Sequence, residues 1–158
     1  MTPVLAGVHH LKLPVSDLHR SIEWYRTRLG YEVGIEFHEH GTVMGVALHH
    51  PTGGPLFGLR HDPEKAAAAA GFDYFAIAVP DRMALETLAA HLDALGDSHA
   101  GVHFASIGWI LPELHDPDGH EIRFYTVAAH TELTDEPLVV SDARETAAAR
   151  DRELAGTD

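Results

Sequence analysis

The sequence contains no cysteine. That excludes disulfides, thiolate metal ligands and a cysteine nucleophile. Basic residues are scarce as well: 11 Lys plus Arg stand against 24 Asp plus Glu, a formal net charge of −13 with neutral histidines. Nucleic-acid grooves and anionic membrane surfaces are met by clustered cations, so neither partner is expected. No apolar run reaches the roughly 18 residues of a membrane span. Residues 1–7 are too short for a signal peptide, so a cytoplasmic chain is expected. Also missing are a Gly-rich phosphate loop, a Gly-Xaa-Ser-Xaa-Gly nucleophile turn and a His-Glu-Xaa-Xaa-His metal motif. What remains is 158 residues, 45% of them hydrophobic, enough for one domain or two small fused modules.

Histidine, by contrast, is plentiful. The 14 copies are scattered rather than run together. His38, His40, His49, His50 and His61 crowd the first half, but their spacing fits no recognised ligand pattern.

The organising feature is a repeat. Residues 10–17 (HLKLPVSD) match residues 74–81 (YFAIAVPD) at an offset of 64. Leu11, Leu13 and Val15 alternate in the first copy, and Phe75, Ile77 and Val79 in the second, as half-buried strands do. Each copy ends on an Asp suited to cap a helix. Asp17 precedes the stripe Leu18, Ile22, Tyr25 and Leu29, closed by Gly30; Asp81 precedes Leu85, Leu88, Leu92 and Leu95, closed by Gly96. Three strand-like stretches follow each helix, at 31–37, 42–48 and 55–59, then at 101–106, 109–114 and 121–127. Before the last stretch of each half comes a breaker turn, residues 51–54 (PTGG) and 116–119 (DPDG). The chain therefore predicts an α+β protein of two βαβββ modules, residues 1–65 and 71–127, joined by an Ala-rich linker at 66–70. Residues 128–158 carry eight acids against three bases and form an acidic C-terminal tail. Asp142 and Glu145 have capping-box spacing, which predicts a helix there through about Leu154.

Strand into Val-Xaa-Asp, closing turn of the DPDG kind, and the whole repeated: this pattern over residues 7–126 resembles the vicinal oxygen chelate superfamily. That group holds glyoxalase I, extradiol dioxygenases, fosfomycin-resistance enzymes and bleomycin-resistance proteins. The resemblance implies paired modules forming an open, barrel-like sheet around a cavity, and a homodimer. It also implies metal ligands from the first and last strand of each module. Carried over residue by residue, those positions fall on His10, on Gly58 (or Phe57), on Tyr74 and on Arg123. Only His10 is a usual ligand, and Arg123 would set a permanent positive charge where a cation should sit. No metal and no other cofactor is expected.

The candidate ligand-binding residues are His10, Lys12, Tyr74, Trp109, Glu121 and Arg123. His10 and Lys12 share a strand face opposite the leucines. His10 reads either as a proton carrier or ligand contact, or as a hydrogen-bonded relic of an ancestral metal site. Tyr74 offers a hydroxyl or a ring, and Arg123 a fork for a carboxylate or phosphate. Glu121, on the same strand face as Arg123, could instead balance it inside the protein. Trp109 lies in an apolar stretch where Gly108 permits close approach. The resulting expectation is a protein that binds a small molecule in its cavity without the family metal, in the manner of bleomycin-resistance proteins or with metal-independent catalysis by His10 and Arg123. The alternatives are a metal-dependent glyoxalase-like lyase, isomerase or dioxygenase, and a purely structural or regulatory dimer. Residue types alone leave open whether the chain is an enzyme.

Overall fold

The structure is a computed structural model that describes residues 2–130 together with Thr134 and Glu136. The helix expected within the acidic tail lies outside the described residues. The chain divides into two compact units, residues 1–73 with 115–121, and residues 74–114 with 122–158.

The first unit runs β1 (His10–Val15), α1 (Leu18–Leu29), β2 (Glu32–Glu39), β3 (Thr42–His49), β4 (Leu56–His61) and α2 (Pro63–Ala69). The second holds β5 (Ala76–Val79), α3 (Arg82–Leu95), β6 (His103–Phe104), β7 (Trp109–His115) and β8 (Glu121–Thr126), apart from the last residue of β7 and the first of β8. The duplication is visible in the topology. One four-stranded sheet has the order β1-β4-β3-β2 and the other β5-β8-β7-β6, with β1–β4 and β5–β8 parallel. Two separate sheets form, and among the described residues their strands do not close into one barrel.

Local chemistry sets the helix ends. The Asp17 carboxylate accepts the Arg20 backbone N–H at 3.0 Å, and Asp81 accepts that of Ala84 at 2.9 Å. Gly30 and Gly96 end their helices at φ 74° and 79°, a left-handed conformation that costs glycine little. Within α1, the fully buried positions are Ser21, Trp24 and Tyr25, so the helix rolls its large aromatics inward and leaves Leu18, Ile22 and Leu29 half-buried. The Tyr25 ring meets Phe57 at a centroid distance of 5.2 Å, and Leu13 and Val15 on β1 and Phe57 and Leu59 on β4 are buried in alternation. The Ala-rich segment is helical from Pro63, because Asp62 caps it by accepting the Lys65 N–H at 3.1 Å.

Two expected strands are shorter than their sequence pattern. Tyr74 and Phe75 precede β5, since the ladder with β8 begins at the Ala76–Arg123 pair. Strand β6 retains only the pairs His103–Ile110 and Phe104–Trp109.

The 116–119 turn is fastened to the start of α1. The Asp118 carboxylate accepts from the Ser16 N–H at 3.1 Å, the Ser16 hydroxyl at 2.5 Å, the Arg20 guanidinium at 3.1 Å and the Ser21 hydroxyl at 3.4 Å. Asp116 accepts the backbone N–H groups of Asp118 and His120 on one oxygen and the Tyr25 hydroxyl on the other. Burial pushes the Asp116 carboxyl up from its ordinary range, against the pull of these donors. The Tyr25 hydroxyl is pushed up by its own burial and by the adjacent Asp116.

Candidate functional site

Alternation along β3 and β4 sends Val46, Leu48, Phe57 and Leu59 into the core, at most 1% exposed. The opposite face of these two central strands then carries Gly45, Ala47 and Gly58. Small residues in the middle of a sheet make a trough when longer ones flank them, and the flanking strands supply those. Strand β1 contributes His10 and Lys12, and β2 contributes Ile35, Phe37 and Glu39. The result is a pocket of about 410 Å³, and every residue that lines it belongs to the first module. That volume suits a small molecule.

Each position is fixed by register. Lys12 pairs with Gly58 across the parallel β1–β4 ladder, and its Cγ lies 3.6 Å from where a Cβ on Gly58 would stand. The lysine stem thus lies along the glycine, which frees its ammonium for the pocket. Among the described residues Lys12 has no ion-pair partner. His10 stands one strand-face position earlier, opposite Leu56. Its Nδ1 is 3.0 Å from that of His9, so one of the two rings donates to the other. At the other end Gly45 pairs with both Phe37 and Arg60. A Cβ there would meet Arg60 Cδ at 3.7 Å and Phe37 Cδ2 at 3.8 Å, so both side chains lean over the glycine. Arg60 Nη1 reaches Glu39 Oε1 at 2.7 Å, an ion pair that spans from β4 to the edge strand β2. The Arg60 hydrogen bond holds the Glu39 carboxyl below its ordinary range, and Glu39 in turn raises Arg60.

Of the residues singled out from the sequence, His10 and Lys12 line this pocket, and Tyr74, Trp109, Glu121 and Arg123 do not. Tyr74 is 54% exposed just before β5. Trp109 carries the guanidinium of Arg82, the first residue of α3, over its ring at 3.8 Å and meets Phe104 edge-on. That places it on the helix side of its sheet. Gly108 does allow the close approach expected of it, since a Cβ there would fall 2.6 Å from Thr126 Oγ1. Glu121 opens β8, and Arg123 pairs with Ala76. Lining residues not expected from the sequence include His9, Ile35, Glu39, Gly45, Ala47 and Arg60. Arg60 had a signal, because it sits two residues beyond Gly58 and so on the same strand face.

A family model described as the Glyoxalase/Bleomycin resistance protein/Dioxygenase superfamily matches residues 7–124. The chain belongs to this superfamily. None of the curated proteins compared with it matches. Among solved structures, it is similar to a glyoxylase/bleomycin resistance protein/dioxygenase domain from Frankia sp. EAN1pec, at 25% identity and a TM-score of 0.65, covering 78% of this chain and 98% of that one. An antibiotic binding protein from Streptomyces sp. CB03234 shares the fold at 16% identity and a TM-score of 0.63, with 79% and 98% covered. So does a lactoylglutathione lyase from Agrobacterium tumefaciens, at 16% identity and a TM-score of 0.62, with 78% and 95% covered.

The resemblance implies metal-ligand positions at His10, Gly58 (or Phe57), Tyr74 and Arg123. The donor set here does not fit. Gly58 offers no side chain, and the Lys12 stem lies along it. Arg123 cannot donate a lone pair. Among the described residues, no group of three or more His, Asp or Glu side chains is placed to hold a metal ion.

Proposed function

We propose that this superfamily member binds a small, largely apolar molecule on the open face of its first sheet, without a family-type metal. The observation that carries this reading is the trough of Gly45, Ala47 and Gly58, walled by Ile35 and Phe37 and edged by Lys12 and His10. Apolar walls supply burial of a flat molecule, at roughly 25 cal/mol per Å² removed from water. The Lys12 ammonium and the imidazole of His10 supply orientation. His10 is the group best placed to exchange a proton with a bound molecule, so a metal-independent reaction would run through it. Tyr74, Glu121 and Arg123 are left out of this proposal, because none of them lines the trough. Homodimerisation belongs to the same reading. Val33, Ile35 and Phe37 on the edge strand β2 are 40, 55 and 50% exposed, more apolar surface than a strand edge usually leaves in water.

The test is a thermal-denaturation series on the whole chain with 2-naphthoate, 2-naphthamide and divalent metals, beside elemental analysis of the purified protein. A metal-free protein whose midpoint rises with the naphthyl compounds supports the reading. Stoichiometric metal, lost together with an activity on chelation, would overturn it in favour of a metal-dependent lyase, isomerase or dioxygenase.

A further inference from the structure

We infer that the Arg60–Glu39 ion pair is an exchangeable clasp at the end of the pocket, which selects ligands bearing an acidic group by letting that group take Glu39's place on Arg60. The inference rests on the pocket reading above and adds the ligand class: a flat apolar body with one carboxylate or similar acid.

The two partners are unequally held. The Arg60 stem packs over Gly45 beside the Phe37 ring, and its side chain is 33% exposed. Its guanidinium is thus presented to the pocket by contacts that do not involve Glu39. Glu39 is the last residue of the edge strand β2, its side chain is 51% exposed, and the turn after it passes through His40 and Gly41 at φ 50° and 81°. An exposed ion pair contributes little net stability, so swinging Glu39 into water costs little. A ligand acid arriving from the apolar side would meet the same guanidinium with less water around it, where a bidentate contact is stronger. Lys12, the other cation of the lining, provides a second positive charge. With Glu39 paired the charged lining is Lys12, Arg60 and Glu39, net positive within a chain of net charge −13. That local reversal of sign favours an anion over a cation.

The test measures binding of 2-naphthoate and its neutral counterpart 2-naphthamide by calorimetry to the wild-type chain, to Arg60→Gln and to Glu39→Gln, with thermal midpoints confirming folding. The quantity read is the ratio of the two affinities. The clasp predicts that Arg60→Gln lowers the acid-to-amide ratio by about tenfold or more. Glu39→Gln, which frees Arg60, should raise it by about threefold to tenfold. If both probes bind and neither substitution moves the ratio, the clasp is wrong and the pocket reading stands. If Glu39→Gln lowers the ratio, Glu39 supports acid binding rather than competing with it, and the inference is likewise overturned. Failure of both probes to bind would remove the pocket reading, and the clasp with it.

Discussion

Lys12 and Ala76 occupy equivalent positions of β1 and β5, 64 residues apart, and their partners on the last strand are Gly58 and Arg123. Each module therefore sets one long cation beside one small residue at the same register, but on opposite strands. In the first module the cation is on the edge strand and the glycine on the central one. In the second the arginine is on the central strand and the alanine on the edge. Duplication preserves register, because a one-residue slip would turn every core side chain outward. It does not preserve which strand carries the chemistry. A glycine in the middle of the sheet leaves a trough, whereas an arginine there stands over the middle of the sheet.

The sharpest way to test that the modules differ is at their turns. Residues 51–54 are exposed, whereas the Asp118 side chain in the second turn is only 6% exposed and accepts four hydrogen bonds. Asp118→Ala is expected to lower stability by about 3 kcal/mol, since it strands several donors at once. Thr52→Ala should change it by under about 0.5 kcal/mol. Chemical denaturation of the two variants checks this, and similar losses would contradict it.

The glycines give the next contrast. A Cβ at Gly108 would fall 2.6 Å from Thr126 Oγ1 and 3.3 Å from the Thr126 carbonyl, so Gly108→Ala should cost about 1–3 kcal/mol through overpacking. Gly58→Ala meets the Lys12 stem and the Leu11 carbonyl, both at ordinary contact distance, and should be within about 0.5 kcal/mol of the parent. Gly58→Leu should leave the fold standing while filling the trough, and so remove 2-naphthoate binding; calorimetry reads the outcome.

These contrasts also show what the sequence could and could not reveal. The repeat, the caps at Asp17 and Asp81, the glycine stops and the face alternation of β1 are local patterns, and a one-dimensional reading captures them. The pocket is not local. It depends on Gly45, Ala47 and Gly58 lying side by side, which only the pairing of β3 with β4 and of β4 with β1 decides. The Arg60–Glu39 contact likewise joins residues 21 apart across an intervening strand. Trp109 looked like a pocket residue because tryptophan beside glycine suits a ligand platform. In the fold the adjoining space belongs to Arg82 and Phe104. Tyr74 looked like a strand residue because the alternation extends back to it, but the paired ladder begins only at Ala76–Arg123, although β8 itself starts at Glu121.

A smaller effect concerns pH. Burial raises the folded-state carboxyl of Asp116 above its unfolded value. Its contribution is then fully present below the unfolded value near 3.8 and is lost as pH rises through the raised folded one. Asp116→Asn removes that dependence while keeping an acceptor for the turn N–H groups. Relative to this variant, the wild-type melting temperature should improve as pH falls from 7 towards 4. A difference that is flat, or that moves the other way, would show that the hydrogen bonds outweigh burial. A further small change is expected from Arg82→Gln, which removes the guanidinium from the Trp109 ring and its pair with Glu86. It should cost about 1 kcal/mol or less by thermal denaturation.

The most direct test of the difference between the modules is backbone amide NMR during titration of the whole chain with 2-naphthoate. Binding in the trough predicts saturable shifts at Gly45, Ala47, Gly58 and Lys12, with little change at their second-module counterparts Ala76 and Arg123. Saturable shifts centred on Ala76 and Arg123, with the first-module glycines unmoved, would contradict it.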